Sequence, residues 1–154
     1  MKNSLIIITI LILQSCSMNQ KLVKQGTPLP LKENEGYLGL TINAVESLSA
    51  ITIKNTETGS KHLIGPISYG IHQYTLLLTA GEYCISRVDA HGYHFDYNNG
   101  GFCVYLEEGE MNYLGELAVR TPLSYLNQRF TRYRKLMNRD YPELCNKYIG
   151  KGCE

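Results

Sequence analysis

Two histidines, His91 and His94, lie between two cysteines, Cys84 and Cys103, with Asp89 and Asp96 close by. Two imidazoles and two thiolates form a donor set for tetrahedral zinc. That chemistry needs free thiolates, and these cysteines have a competing use, set out below. The spacing of Asp89 and Asp96 matches no calcium loop. Exposed loop histidines and no metal are therefore expected. Glu107, Glu108 and Glu110 bring carboxylates together around Gly109. A glycosidase pair works from fixed positions across a cleft, whereas this run reads as a solvated acidic turn. No Gly-x-Ser-x-Gly, His-Glu-x-x-His, phosphate-cradling loop or dinucleotide fingerprint occurs. No catalytic residue is assigned, and a non-enzyme is expected.

Two further groups have binding chemistry. Tyr93, Tyr97, Tyr105 and Tyr113 cluster late in the β region. Cross-strand packing is their expected use, ahead of an exposed aromatic patch. Arg129, Arg132, Lys135 and Arg139 follow at helical spacing. They read as the polar face of a helix and as the candidate contact with an anionic surface or an acidic protein.

The cysteines depend on where the chain goes. Lys2 is followed by nine residues, 5–13, that are almost wholly apolar. A membrane span needs about 20 such residues, so this run is too short for one. It fits the core of an export signal. Leu13-Gln14-Ser15-Cys16 resembles a bacterial lipobox, in which the cysteine is lipidated and becomes the new N-terminus. The resemblance implies that Cys16 carries a covalent lipid (the one prosthetic group expected) and that 139 of the 154 residues remain, 154 − 15 = 139. Ser17 in place of aspartate implies sorting to the outer membrane. Export leads to an oxidising compartment, where disulfides persist. The other four cysteines, Cys84, Cys103, Cys145 and Cys153, allow three pairings. A hairpin between strands 82–89 and 101–106 sets Cys84 opposite Cys103 and leaves Cys145 to staple Cys153. That pairing is favoured, with the other two still open.

These residues need a scaffold. The chain has 44% apolar residues and a net charge of +1, which fits one folded domain and excludes a dedicated nucleic-acid binder. Residues 1–15 read as the signal and 16–35 as a lipidated tether, polar, with two prolines, Pro28 and Pro30, and no sustained period. Residues 36–120 read as a mainly β, antiparallel domain. Its seven candidate strands are 36–44, 50–54, 61–65, 71–79, 82–89, 101–106 and 111–119. Residues 121–154 read as a helical segment packed on it. There Thr121 caps and Pro122 opens a helix whose apolar stripe is Leu123, Leu126, Phe130, Tyr133 and Met137.

Leu78-Thr79-Ala80-Gly81-Glu82-Tyr83-Cys84-Ile85 resembles the Leu-x-x-Gly-x-Tyr turn of transthyretin-like sandwiches. The run from Val104 to Gly115 is similar to the next hairpin in small bacterial lipoproteins with that domain. The resemblance spans 36–120 and carries over no catalytic residue. It implies a transthyretin-like sandwich on the periplasmic face of the outer membrane. The expected function is a membrane-tethered, non-enzymatic interaction module with an envelope protein partner and no nucleic acid. The alternative is a periplasmic inhibitor or immunity protein that presents loop 91–101 to a wall-degrading or toxic enzyme.

Overall fold

A computed structural model describes residues 21–26, 30–97, 101–120, 123–150 and 153. The signal, Cys16, Thr121, Pro122 and the tip of the 98–100 turn lie outside the described residues. Among the described residues, ten strands form two sheets. The first sheet has the order β1 (Lys21–Leu22), β5 (Gly70–Thr79), β2 (Glu35–Ala44), β9 (Met111–Arg120), β10 (Leu123–Asn127). The second runs β4 (Lys61–Ile64), β3 (Leu48–Asn55), β6 (Gly81–Ala90). The far edge of β6 is shared by β7 (Tyr93–Asp96) and β8 (Cys103–Leu106). No helix among the described residues is long and apolar enough to cross a membrane.

Alternation builds the core. Leu38, Leu40 and Ile42 of β2 face Ile51 and Ile53 of β3 and Ile85 and Val88 of β6 in one buried cluster. Leu76, Leu117 and Val119 complete it from the first sheet. Burial of this kind contributes about 25 cal/mol per Å² of apolar surface, which is the main term holding the sheets together.

Four features differ from the sequence expectation. First, β2 and β9 pair in parallel, so the fold is not antiparallel throughout. These two strands are far apart in sequence, and no hairpin constrains their direction. Second, Tyr93–Asp96 form a strand on β6, where a loop was expected. Third, Lys21–Leu22 pair with Leu77–Leu76, and Val23 is buried, so part of the stretch read as tether is fixed to the fold. Fourth, Leu123 and Leu126 are not helical. Leu123–Asn127 pair antiparallel with β9, and Leu126 packs onto Gly115, where a Cβ would sit 2.7 Å from its Cγ. The 3–4 spacing that suggested one helix joins a strand to a later helix, because ladder bonds to β9 outweigh a weak local preference.

The helix α1 (Phe130–Asp140) lies on the outer face of the first sheet. Tyr133 and Met137 are its buried anchors. Tyr133 crosses Gly39, where a Cβ would meet its hydroxyl at 2.6 Å, so only glycine admits the ring. A short turn, α2 (Pro142–Leu144), runs into a π-helical turn at Cys145–Ile149. Together with Val23, Tyr37 and Leu77 these elements make a second, smaller core. The chain is stapled twice: Cys84 to Cys103 across the β6–β8 ladder, and Cys145 to Cys153 in the tail.

Candidate functional site

The chemistry-bearing residues gather on the outer face of the first sheet, and a bulge puts them there. Opposite β2, the register on β9 passes from Gly39–Tyr113 to Leu40–Gly115, leaving Leu114 as an extra residue. Tyr113 and Glu116 are three residues apart and would normally face opposite ways. The bulge turns both toward α1, while Leu114 enters the core. Gly115 at φ +137° makes the bulge affordable, since side-chain-bearing residues rarely adopt that conformation.

Glu116 is the centre. Its side chain is 1% exposed. Arg132 donates from Nη1 to Oε1 at 2.9 Å, and Asn43 donates from Nδ2 to the same oxygen at 3.3 Å. Arg129 Nη1 stands 3.8 Å from it. Oε2 has no hydrogen-bond partner among the described residues. A lone buried carboxylate is costly, and the guanidinium of Arg132 offsets that cost.

Beside it runs a polar and aromatic layer. The Tyr113 hydroxyl donates to Thr41 Oγ1 at 3.2 Å, which donates to Gln73 Oε1 at 2.7 Å. Tyr113 stacks on Tyr133 with ring centroids 3.9 Å apart and meets Phe130 edge-on at 5.5 Å. Burial pushes the Tyr113 phenol up to about 12, and the nearby Glu116 charge acts in the same direction. Burial also raises Tyr133, with Tyr113 adding to it.

The four basic residues thus divide. Arg132 is turned inward onto Glu116, its side chain 35% exposed. Arg139 is held by its neighbour Asp140 through two bonds of 2.6 and 2.7 Å. Arg129 immediately precedes the helix and is 48% exposed, and Lys135 is exposed. Gln128, Arg129, Phe130, Thr131, Arg132 and Lys135 line an open pocket of about 510 Å³. Phe130 is 53% exposed at its rim.

The other sequence candidates fall elsewhere. His94 Nε2 lies 3.4 Å from Asp96, and Arg87 pairs with Asp89 at 2.7 Å, all on the second sheet's open face. Among the described residues, no group of three or more His, Cys, Asp or Glu is arranged to hold a metal. Tyr93 donates to Glu46 and meets Phe95 edge-on. Tyr97 packs on Phe102, and Tyr105 is exposed. The acidic turn belongs to a wider acidic end: Asn34 N donates to Glu108, Lys32 N to Glu35, and Thr56 Oγ1 to Glu82. The strand β1 enters the fold near this end, since Lys21 pairs with Leu77 and Glu35 with Thr79. Glu116 was missed by sequence reasoning. Its signal was one charge inside the apolar run Leu114-Gly115-Glu116-Leu117-Ala118-Val119.

No family model matches the chain, and no curated protein does. A solved leucine-rich repeat protein from Bacteroides thetaiotaomicron is similar over 70% of this chain, with a TM-score of 0.40 and 8% identity. This chain spans 16% of that one.

Proposed function

We propose that this protein is a non-enzymatic interaction module of the bacterial envelope, lipidated at Cys16 and held on the periplasmic face of the outer membrane. The scaffold in this reading is a transthyretin-like sandwich. Its strand order supports that: β5-β2-β9-β10 against β4-β3-β6-β8, with the parallel pair in the middle of the first sheet.

The observation that carries the reading is the placement of β1. It fixes the chain to one edge of the first sheet from Lys21 onward, with four residues, Ser17 to Gln20, between Cys16 and Lys21. An anchor there holds the fold near a bilayer and leaves the opposite edge, at β10, clear of it. The two disulfides suit export. Glu116 of the first sheet is paired with Arg132, and Asp140 of α1 with Arg139.

The test is palmitate labelling and crosslinking of the full chain in intact Gram-negative cells, followed by affinity purification. The expected result is a labelled protein in the outer membrane with a small set of envelope partners, both lost on Cys16→Ala. An unlabelled protein, or partners indifferent to Cys16→Ala, overturns the tethered reading.

A further inference from the structure

We infer that the pocket at the start of α1 receives an acidic segment of a protein partner, with Arg129 and Lys135 meeting its carboxylates and Phe130 its apolar side chains. This inference rests on the tethered-module reading above. The pocket spans about 510 Å³ and brings three cationic side chains together around a half-exposed aromatic ring. Arginine and aromatic residues in that combination carry binding energy at protein interfaces. Glu116 does not cancel the positive charge evenly. It takes Arg132 at 2.9 Å and holds it in place, while Arg129 stays at 3.8 Å and more exposed. Lys135 is exposed on the next turn. The pocket therefore keeps two cations for an outside anion, beside a third whose position is fixed. Tyr125, 41% exposed on β10, extends the aromatic rim along the same sheet face.

The concave shape of the pocket and its pairing of cationic with aromatic side chains favour a protein segment over a lipid surface. The strand β1 is one edge of the first sheet, and the pocket stands over β9, three strand intervals away, or about 14 Å at ~4.8 Å each. The end of the fold where β1 enters is the acidic one, with Glu35, Glu82 and Glu108 held there by hydrogen bonds. The cationic pocket lies on the outer face of the first sheet, away from that end. Charge complementarity then selects a partner with an acidic segment that reaches toward the fold.

The test places a photoreactive residue at Tyr125, Phe130 or Leu63 of the full chain in intact cells. Leu63 is the control, 40% exposed on the second sheet. The expected result is a protein adduct from Tyr125 and Phe130 whose crosslinked segment is rich in Asp and Glu. The double reversal Arg129→Glu with Lys135→Glu should weaken it by about tenfold or more. Lysine substitutions in the partner's acidic segment should restore it. Adducts from Leu63 alone, or adducts unmoved by charge reversal, overturn this pocket while leaving the module reading standing. Lipid adducts from Tyr125 and Phe130 overturn it in favour of a membrane surface. No protein adduct from any position overturns both.

Discussion

The two outer faces of the sandwich are built from similar ladders and carry similar residues, but they use charge differently. On the first sheet, α1 covers Thr41, Thr75 and Glu116, and each is buried. On the second, Thr52, Lys54, Lys61, Ser86, Arg87 and Asp96 border a shallow groove of about 320 Å³ open to water. The ion pairs there join side chains that are 25–51% exposed. Exposed pairs of this kind contribute about 0–1 kcal/mol. The pair under α1 cannot be broken so cheaply, because water does not reach the Glu116 carboxylate. The same ionic contact is decoration on one face and structure on the other, and the cover decides which.

That contrast can be broken at several points. Met137→Ala empties the centre of the cover and should cost about 3 kcal/mol in urea unfolding. A loss below about 0.5 kcal/mol would mean that α1 contributes little to stability. The second sheet depends instead on its staple. Cys84→Ser with Cys103→Ser opens a loop closed across 19 positions and should cost about 3 kcal/mol in the same assay. Leu63→Ala on the open face should move the urea midpoint by less than the equivalent of about 0.5 kcal/mol.

Alkaline pH separates the faces without mutation. The folded Tyr113 phenol titrates at about 12, above its ordinary value of 10.0. Its contribution to stability is complete below pH 10 and is lost as pH rises toward 12. Unfolding followed across that window should show a fall that Tyr113→Phe reduces. An identical profile in the variant would detach the fall from the stacked pair.

Much of the sandwich was legible because alternation is strong where one side of a strand enters the core. The strands 36–44, 71–79 and 111–119 hold their places to within a residue or so at each end. The pairing favoured from the hairpin, Cys84 with Cys103, is the one the β6–β8 register brings together. Three strands left too little pattern. Lys21–Leu22 has only two residues, and its partner is more than fifty positions away. Tyr93–Asp96 mixes exposed polar and aromatic residues at an edge. Leu123–Asn127 carries leucines at a spacing that also suits a helix. The site was the least legible part. Glu116 depends on a bulge at Leu114 and Gly115, and local sequence does not say that β9 will pair with β2. The basic residues were seen as one group because they share a helical spacing, whereas burial of Glu116 divides them.

A double-mutant cycle on Glu116 and Arg132 tests most directly whether charge under α1 is structural. The variants are Glu116→Leu, Arg132→Met and both together, compared by urea unfolding of the full chain. Arg132→Met alone should cost about 3 kcal/mol, because it leaves the buried carboxylate only Asn43 at 3.3 Å and Arg129 at 3.8 Å, and the double variant should recover most of that loss. The coupling energy should lie between about 1 and 3 kcal/mol. Single effects that add to within about 0.5 kcal/mol would contradict the account, leaving Glu116 as incidental as the carboxylates of the open face.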